Sequence, residues 1–105
     1  MDSFEKVAKT SEIPQGDMML VEVGGERILL SNLDGDICAI SEVCSHALAY
    51  LSDGWIEGDS VECPIHGSKF NLKTGAVSSP PATEDLPTYQ VRLEGDDILI
   101  GPPNP

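Results

Sequence analysis

Cys44-Ser45-His46 and Cys63-Pro64-Ile65-His66 are the stretches on which the reading of this chain turns. The first pair has the spacing C-x-H, the second C-x-x-H, and sixteen residues separate them. Each pair stands in an irregular segment directly after a run of strand character. Side chains two or three positions apart in such a loop can face one centre. Two loops at one end of a β scaffold can therefore bring two thiolates and two imidazoles together as a four-ligand metal site. The chain has 3 Cys and 2 His among 105 residues, so both histidines and two of the three cysteines enter one pattern. By chance such pairing arises on the order of once in a thousand sequences of this composition.

A Cys2His2 donor set leaves two metals open. One is a single tetrahedral Zn²⁺. Zinc-finger spacing, however, places both cysteines on one knuckle and both histidines on one helix. Here each loop supplies one of each, an alternation that fits a two-iron cluster with both Cys on one iron and both His on the other.

Outward from these loops the chain reads as short strands broken by turns, with no amphipathic helix of ten residues or more. Strands are expected at 4–8, 18–23, 26–32, 36–41, 55–57, 60–62, 88–93 and 97–100, and a turn, with room for one helical turn, at 11–16. Gly24-Gly25, Asp34-Gly35, Gly58-Asp59 and Gly95-Asp96 mark the tight connections. The segment 78–87, with Pro80, Pro81 and Pro87, is irregular, and 101–105 reads as an extended tail. This pattern predicts an all-β fold, an antiparallel sandwich or small barrel, in a single domain over 1–105.

Composition narrows the function. With 6 Lys+Arg against 18 Asp+Glu the net charge is −12. That excess argues against nucleic acid, whose phosphates need cationic partners, and against anionic membrane surfaces. No run of 18 apolar residues is present, and residues 1–10 carry Asp2 and Glu5 without an apolar signal core, so the expected compartment is the cytoplasm. An odd number of cysteines suits a metal site in a reducing compartment better than a disulfide scaffold.

The residues Cys44-Ser45-His46-Ala47, Leu51-Ser52-Asp53-Gly54, Glu62-Cys63-Pro64-Ile65-His66-Gly67-Ser68-Lys69-Phe70 and Thr74-Gly75 resemble a Rieske [2Fe–2S] protein. Within that family the chain is most similar to the soluble ferredoxins of bacterial aromatic-ring dioxygenase systems. Pro80-Pro81 and Leu86-Pro87-Thr88-Tyr89 extend the similarity over roughly 4–100. The resemblance implies a β base carrying a small cluster-binding subdomain with ligand loops near 42–52 and 63–70, and a proline loop near 78–87 covering the cluster. It implies one [2Fe–2S] cluster held by Cys44 and Cys63 on the inner iron and His46 and His66 on the outer iron. Quinol-oxidising members have a further Cys in each loop, joined as a disulfide; here Ala49 and Ile65 stand there. High-potential members also have a Tyr where this chain has Phe70, while Ser68 is kept. Fewer hydrogen bonds toward the cluster point to the lower part of the range of about −150 to +300 mV.

Both histidines being spent, none remains for the two-His-one-carboxylate iron of an oxygenase. Gly24-Gly25 is an isolated pair rather than a dinucleotide-binding fingerprint. The expected role is therefore a soluble one-electron carrier, not an enzyme, between an NAD(P)H-dependent ferredoxin reductase and a terminal oxygenase. A small Rieske-like subunit of an assimilatory nitrite reductase and a zinc-stabilised β interaction module are the alternatives. Between Ile28 and Gly67 lie seven acidic residues (Asp34, Asp36, Glu42, Asp53, Glu57, Asp59, Glu62) and no Lys or Arg, read either as solubility or as steering toward basic partners in transient encounters. Cys38 reads as a small core residue; Trp55, Phe4 and Tyr89 as core or hairpin packing; Lys69 and Lys73 as surface charges or a local positive patch.

Overall fold

The computed structural model describes residues 3–43, 50–64, 67–80 and 84–104. In chain order these form β1 (Glu5–Lys9), a 3-10 turn at Thr10–Glu12, β2 (Met18–Val23), β3 (Glu26–Leu33) and β4 (Asp36–Ser41). A second 3-10 turn at Leu51–Asp53 precedes β5 (Trp55–Glu57), β6 (Ser60–Glu62), β7 (Lys69–Asn71), β8 (Val77–Ser79), β9 (Tyr89–Glu94) and β10 (Asp97–Pro103). Every pairing between these strands is antiparallel. The strands make three sheets, ordered β1-β10-β9, β2-β3-β4 and β5-β6-β7-β8.

Register in the β2-β3-β4 sheet follows from its turns. Gly24 and Gly25 have φ of 58° and 84°, and Asp34 and Gly35 have φ of 54° and 91°. Both central residues of each turn are left-handed, as a type I′ hairpin requires, and the strands on either side leave in immediate register. Val21 is thereby paired with Ile28, and Leu30 with Ala39.

β3 lies between two cores, which explains its unbroken apolar run Ile28-Leu29-Leu30. Successive side chains of a strand point to opposite faces. Ile28 and Leu30 join Val21, Val23, Ala39, Tyr89, Ile98 and Ile100 beneath the β1-β10-β9 sheet. Leu29, Leu33 and Ile40 face the other way and pack with Leu51, Val61, Cys63, Phe70, Leu72 and Leu86 under the four-stranded sheet. The β2-β3-β4 sheet is thus the shared middle layer between the two outer sheets.

Two strands were not expected from the sequence. β7 and β8 are three residues each and too short to show alternation; their order comes from pairing with β6 and with each other. The Asn71 side chain organises the turn after β7 by accepting from the Lys73 N–H at 2.8 Å and the Thr74 N–H at 3.0 Å. The expected tail is also corrected: β10 continues to Pro103, which pairs with Tyr89 after a register shift, and the Asn104 N–H donates to the Thr88 carbonyl at 2.9 Å. In the proline segment, Pro81, Ala82 and Thr83 lie outside the described residues. Its two ends are drawn together by Leu86 N–H to the Gly75 carbonyl at 2.8 Å and Val77 N–H to Asp85 Oδ1 at 2.9 Å.

Candidate metal centre

The first ligand segment leaves β4 and returns as the Leu51–Asp53 turn. An isolated antiparallel bridge between Val43 and Tyr50 closes its neck, and the Leu51 N–H donates to the Glu42 carbonyl at 2.8 Å. Cys44 and His46, on the six residues between, lie outside the described residues. The second segment leaves β6 at Cys63, whose N–H donates to the Ser68 carbonyl at 2.7 Å, so a short loop is pinched shut before β7 begins. His66 lies on that loop, likewise outside the described residues. Cys63 and Ser68 are fully buried.

What brings the stems of the two loops together is the β5-β6 hairpin. The first loop exits through Gly54 into Trp55, and Trp55 pairs with Glu62, the residue before Cys63. Gly54 sits so close to this pair that a Cβ there would overlap the Glu62 carbonyl oxygen. The stem of one loop thereby lies against the stem of the other. Of the four expected ligands only Cys63 is among the described residues, and among these no three His, Cys, Asp or Glu side chains converge on one centre.

The surroundings fit an iron–sulfur group. Cys63 is fully buried in an apolar core with Phe70, Leu51, Leu72 and Leu86, a dry setting suited to a thiolate whose charge a metal offsets. Tyr50 and Trp55, on the flanking stems, are 45% and 48% exposed. Trp55 was expected to be packed; in a three-residue strand it alternates outward while Ile56 turns toward the core. Tyr89 is buried as expected, and Phe4 packs under the Arg92 guanidinium, 4.1 Å from the ring centre.

No positive patch forms from Lys69 and Lys73. Lys69 Nζ is 3.1 Å from Glu57 and 3.8 Å from Glu62, and Lys73 Nζ is 3.9 Å from Asp36. The hydrogen bond to Glu57 raises the Lys69 pKa above its usual value, so Lys69 stays charged and locally neutralised. Of the seven acids singled out, five are exposed, Glu62 is half-buried and Glu42 is fully buried. Glu42 is the residue that composition alone misread. The strand period could have found it, because it stands two positions after the buried Ile40 and on the same side. Cys38 is half-buried against the core that contains Cys63, and burial, then the nearby Asp36, pushes its thiol pKa up.

Comparison with known proteins agrees with this architecture. The family described as Rieske [2Fe-2S] domain matches residues 3–90. The ferredoxin component of biphenyl 2,3-dioxygenase from Rhodococcus jostii (strain RHA1) is 41% identical over 98 residues, 93% of this chain and 92% of that one. The ferredoxin of carbazole 1,9a-dioxygenase from Nocardioides aromaticivorans IC177 superposes with a TM-score of 0.91 at 30% identity, covering 96% of this chain and 99% of the other. A complex of reduced oxygenase and oxidized ferredoxin in carbazole 1,9a-dioxygenase contains a chain that matches with a TM-score of 0.88 at 30% identity, over 93% and 92% of the two chains. Paired Cys and His motifs on adjoining stems, a buried thiol at one of them, and relatives matched over nearly their whole length lead to one assignment: the chain belongs to the Rieske [2Fe–2S] domain family, with a cluster of that type as its cofactor.

Proposed function

We propose that this protein is the one-electron carrier of an aromatic-ring dioxygenase system, receiving electrons from an NAD(P)H-dependent reductase and delivering them to a terminal oxygenase. The observation that carries the reading is the junction at Gly54, Trp55 and Glu62, which sets the stems of the two Cys/His segments side by side. On this reading Cys44 and Cys63 hold the inner iron as thiolates, and His46 and His66 hold the outer iron as neutral imidazoles. When bound, the group accepts and returns one electron.

The chain's own residues do the rest. The apolar core around Cys63 keeps water from the thiolate side, and the Cys63–Ser68 hydrogen bond holds the base of the second ligand loop at the start of β7. Pro80 and Pro81 belong to the covering segment, whose ends are tied at Gly75–Leu86 and Val77–Asp85. The relatives named above are ferredoxin components, and the nitrite-reductase and zinc-module alternatives draw no support from them. No helix among the described residues is long and apolar enough to cross a membrane; the carrier is read as a single domain working in the cytoplasm.

The exposed acids Asp34, Asp36, Asp53, Glu57 and Asp59 steer it to basic docking surfaces on both partners in weak, short-lived complexes. The test is reconstitution. With candidate reductase and oxygenase components, NADH-driven product formation should require this protein and stop with Cys63→Ser. Turnover that is equally fast without the protein would overturn the carrier role.

A further inference from the structure

Glu42 is a fully buried carboxylate at the mouth of the first ligand loop, and two elements converge on it. Arg27 of β3 donates from Nε to Glu42 Oε1 at 2.8 Å. Ser52, on the far side of the loop, donates its hydroxyl to Glu42 Oε2. The same Arg27 guanidinium lies 4.3 Å from the centre of the Tyr50 ring, a cation–π contact across the neck. Main-chain bonds run in parallel: the Glu42 N–H to the Arg27 carbonyl at 3.1 Å, and the Leu51 N–H to the Glu42 carbonyl at 2.8 Å. Both strands of the neck are therefore tied to each other and to the middle sheet by one charged centre.

Burying a carboxylate beside a guanidinium is a poor way to gain stability, because desolvation offsets most of the attraction and an apolar pair serves as well. What such a pair does supply is direction. Here the Arg27 Nε–H and the Ser52 hydroxyl each donate to a different oxygen of Glu42, so the carboxylate is held from both sides.

We propose that Arg27, Glu42 and Ser52 form a positioning clamp that fixes the neck of the first ligand loop, so that Cys44 and His46 are presented to the cluster from a rigid base. This rests on the ligand assignment above. The clamp residues sit at the base of the loop, Glu42 and Ser52 on its two sides and Arg27 on the facing strand, and act through it. Partners that hydrogen-bond a ligand directly change metal affinity about 10–100-fold when removed, and a clamp acting one step further out works at or below the lower end of that range.

The experiment compares wild type, Arg27→Met, Arg27→Lys, Ser52→Ala and, as a control in the opposite core, Ile98→Val. The readouts are the rate of iron loss to a chelator and the low-temperature EPR spectrum of the reduced protein. Arg27→Met and Ser52→Ala should release iron several-fold to about tenfold faster than wild type, with shifted g values. Arg27→Lys should fall between, since it keeps the charge but not the planar fork or the stacking. Ile98→Val should match wild type in both. If Arg27→Met does not fold, Ser52→Ala decides. A loaded wild type whose clamp variants keep its release rate and spectrum overturns the clamp alone, as does equally fast release by Ile98→Val. A wild type that binds no iron overturns the ligand assignment and the clamp together.

Discussion

Phe70, two residues after Ser68 on β7, is fully buried in the same apolar core as Cys63. Truncating it would leave a cavity beside the second ligand loop, and Phe70→Ala should cost about 3–5 kcal/mol in denaturant unfolding. Phe70→Tyr asks a different question at the same place. A hydroxyl that reaches the cluster stabilises the more negative, reduced state, so the midpoint potential in a redox titration should rise. An unchanged or lower potential in a fully loaded variant would count against the hydrogen-bond account. Cys38 lies in that core as well, with its thiol pKa raised by burial and then by Asp36. A raised pKa means less thiolate at neutral pH, so Cys38 should react with iodoacetamide more slowly than an exposed thiol. At this scale the proposed ligands stand out in the sequence because Cys and His are rare in the chain and their spacing is narrow. Glu42 was not, because composition treats a carboxylate as solvated unless its partner, fifteen residues away on another strand, is known.

Among elements, the β5-β6 hairpin carries most of the functional geometry in three residues per strand. Its junction depends on Gly54, where any side chain meets the Glu62 carbonyl oxygen. Gly54→Ala should therefore destabilise by about 3 kcal/mol, the upper end for single substitutions, and should separate the two loop stems. Loss of stability together with lower iron content supports that account; a variant with wild-type unfolding midpoint and iron content contradicts it. The longer strands were legible from alternation and from Gly-Gly and Asp-Gly turns, which fix register locally. β7 and β8 were not, because Lys69–Asn71 and Val77–Ser79 have no periodicity of their own and exist through pairing. The extension of β10 through Pro102 and Pro103 ran against the usual reading of proline as a strand terminator. The register shift before Pro103 accommodates it on the strand's last residues.

Over the whole molecule, the charge of −12 is spread across a surface whose few cations near the cluster-binding sheet are already paired with acids. Steering by such a field weakens once the screening length falls to about 10 Å near 0.1 M salt. The second-order rate of electron transfer to the oxygenase should accordingly fall several-fold between about 10 mM and 0.3 M ionic strength, within the range known for steered encounters. A rate flat in salt would leave the acidic surface a matter of solubility. Composition showed the sign of the field but not that Glu42 is withdrawn from it into the interior. Whether the two segments on adjoining stems hold a two-iron cluster is decided by elemental analysis of the purified, coloured protein. Such a cluster predicts two iron and two acid-labile sulfide per chain. A colourless protein with one zinc and no sulfide would contradict it.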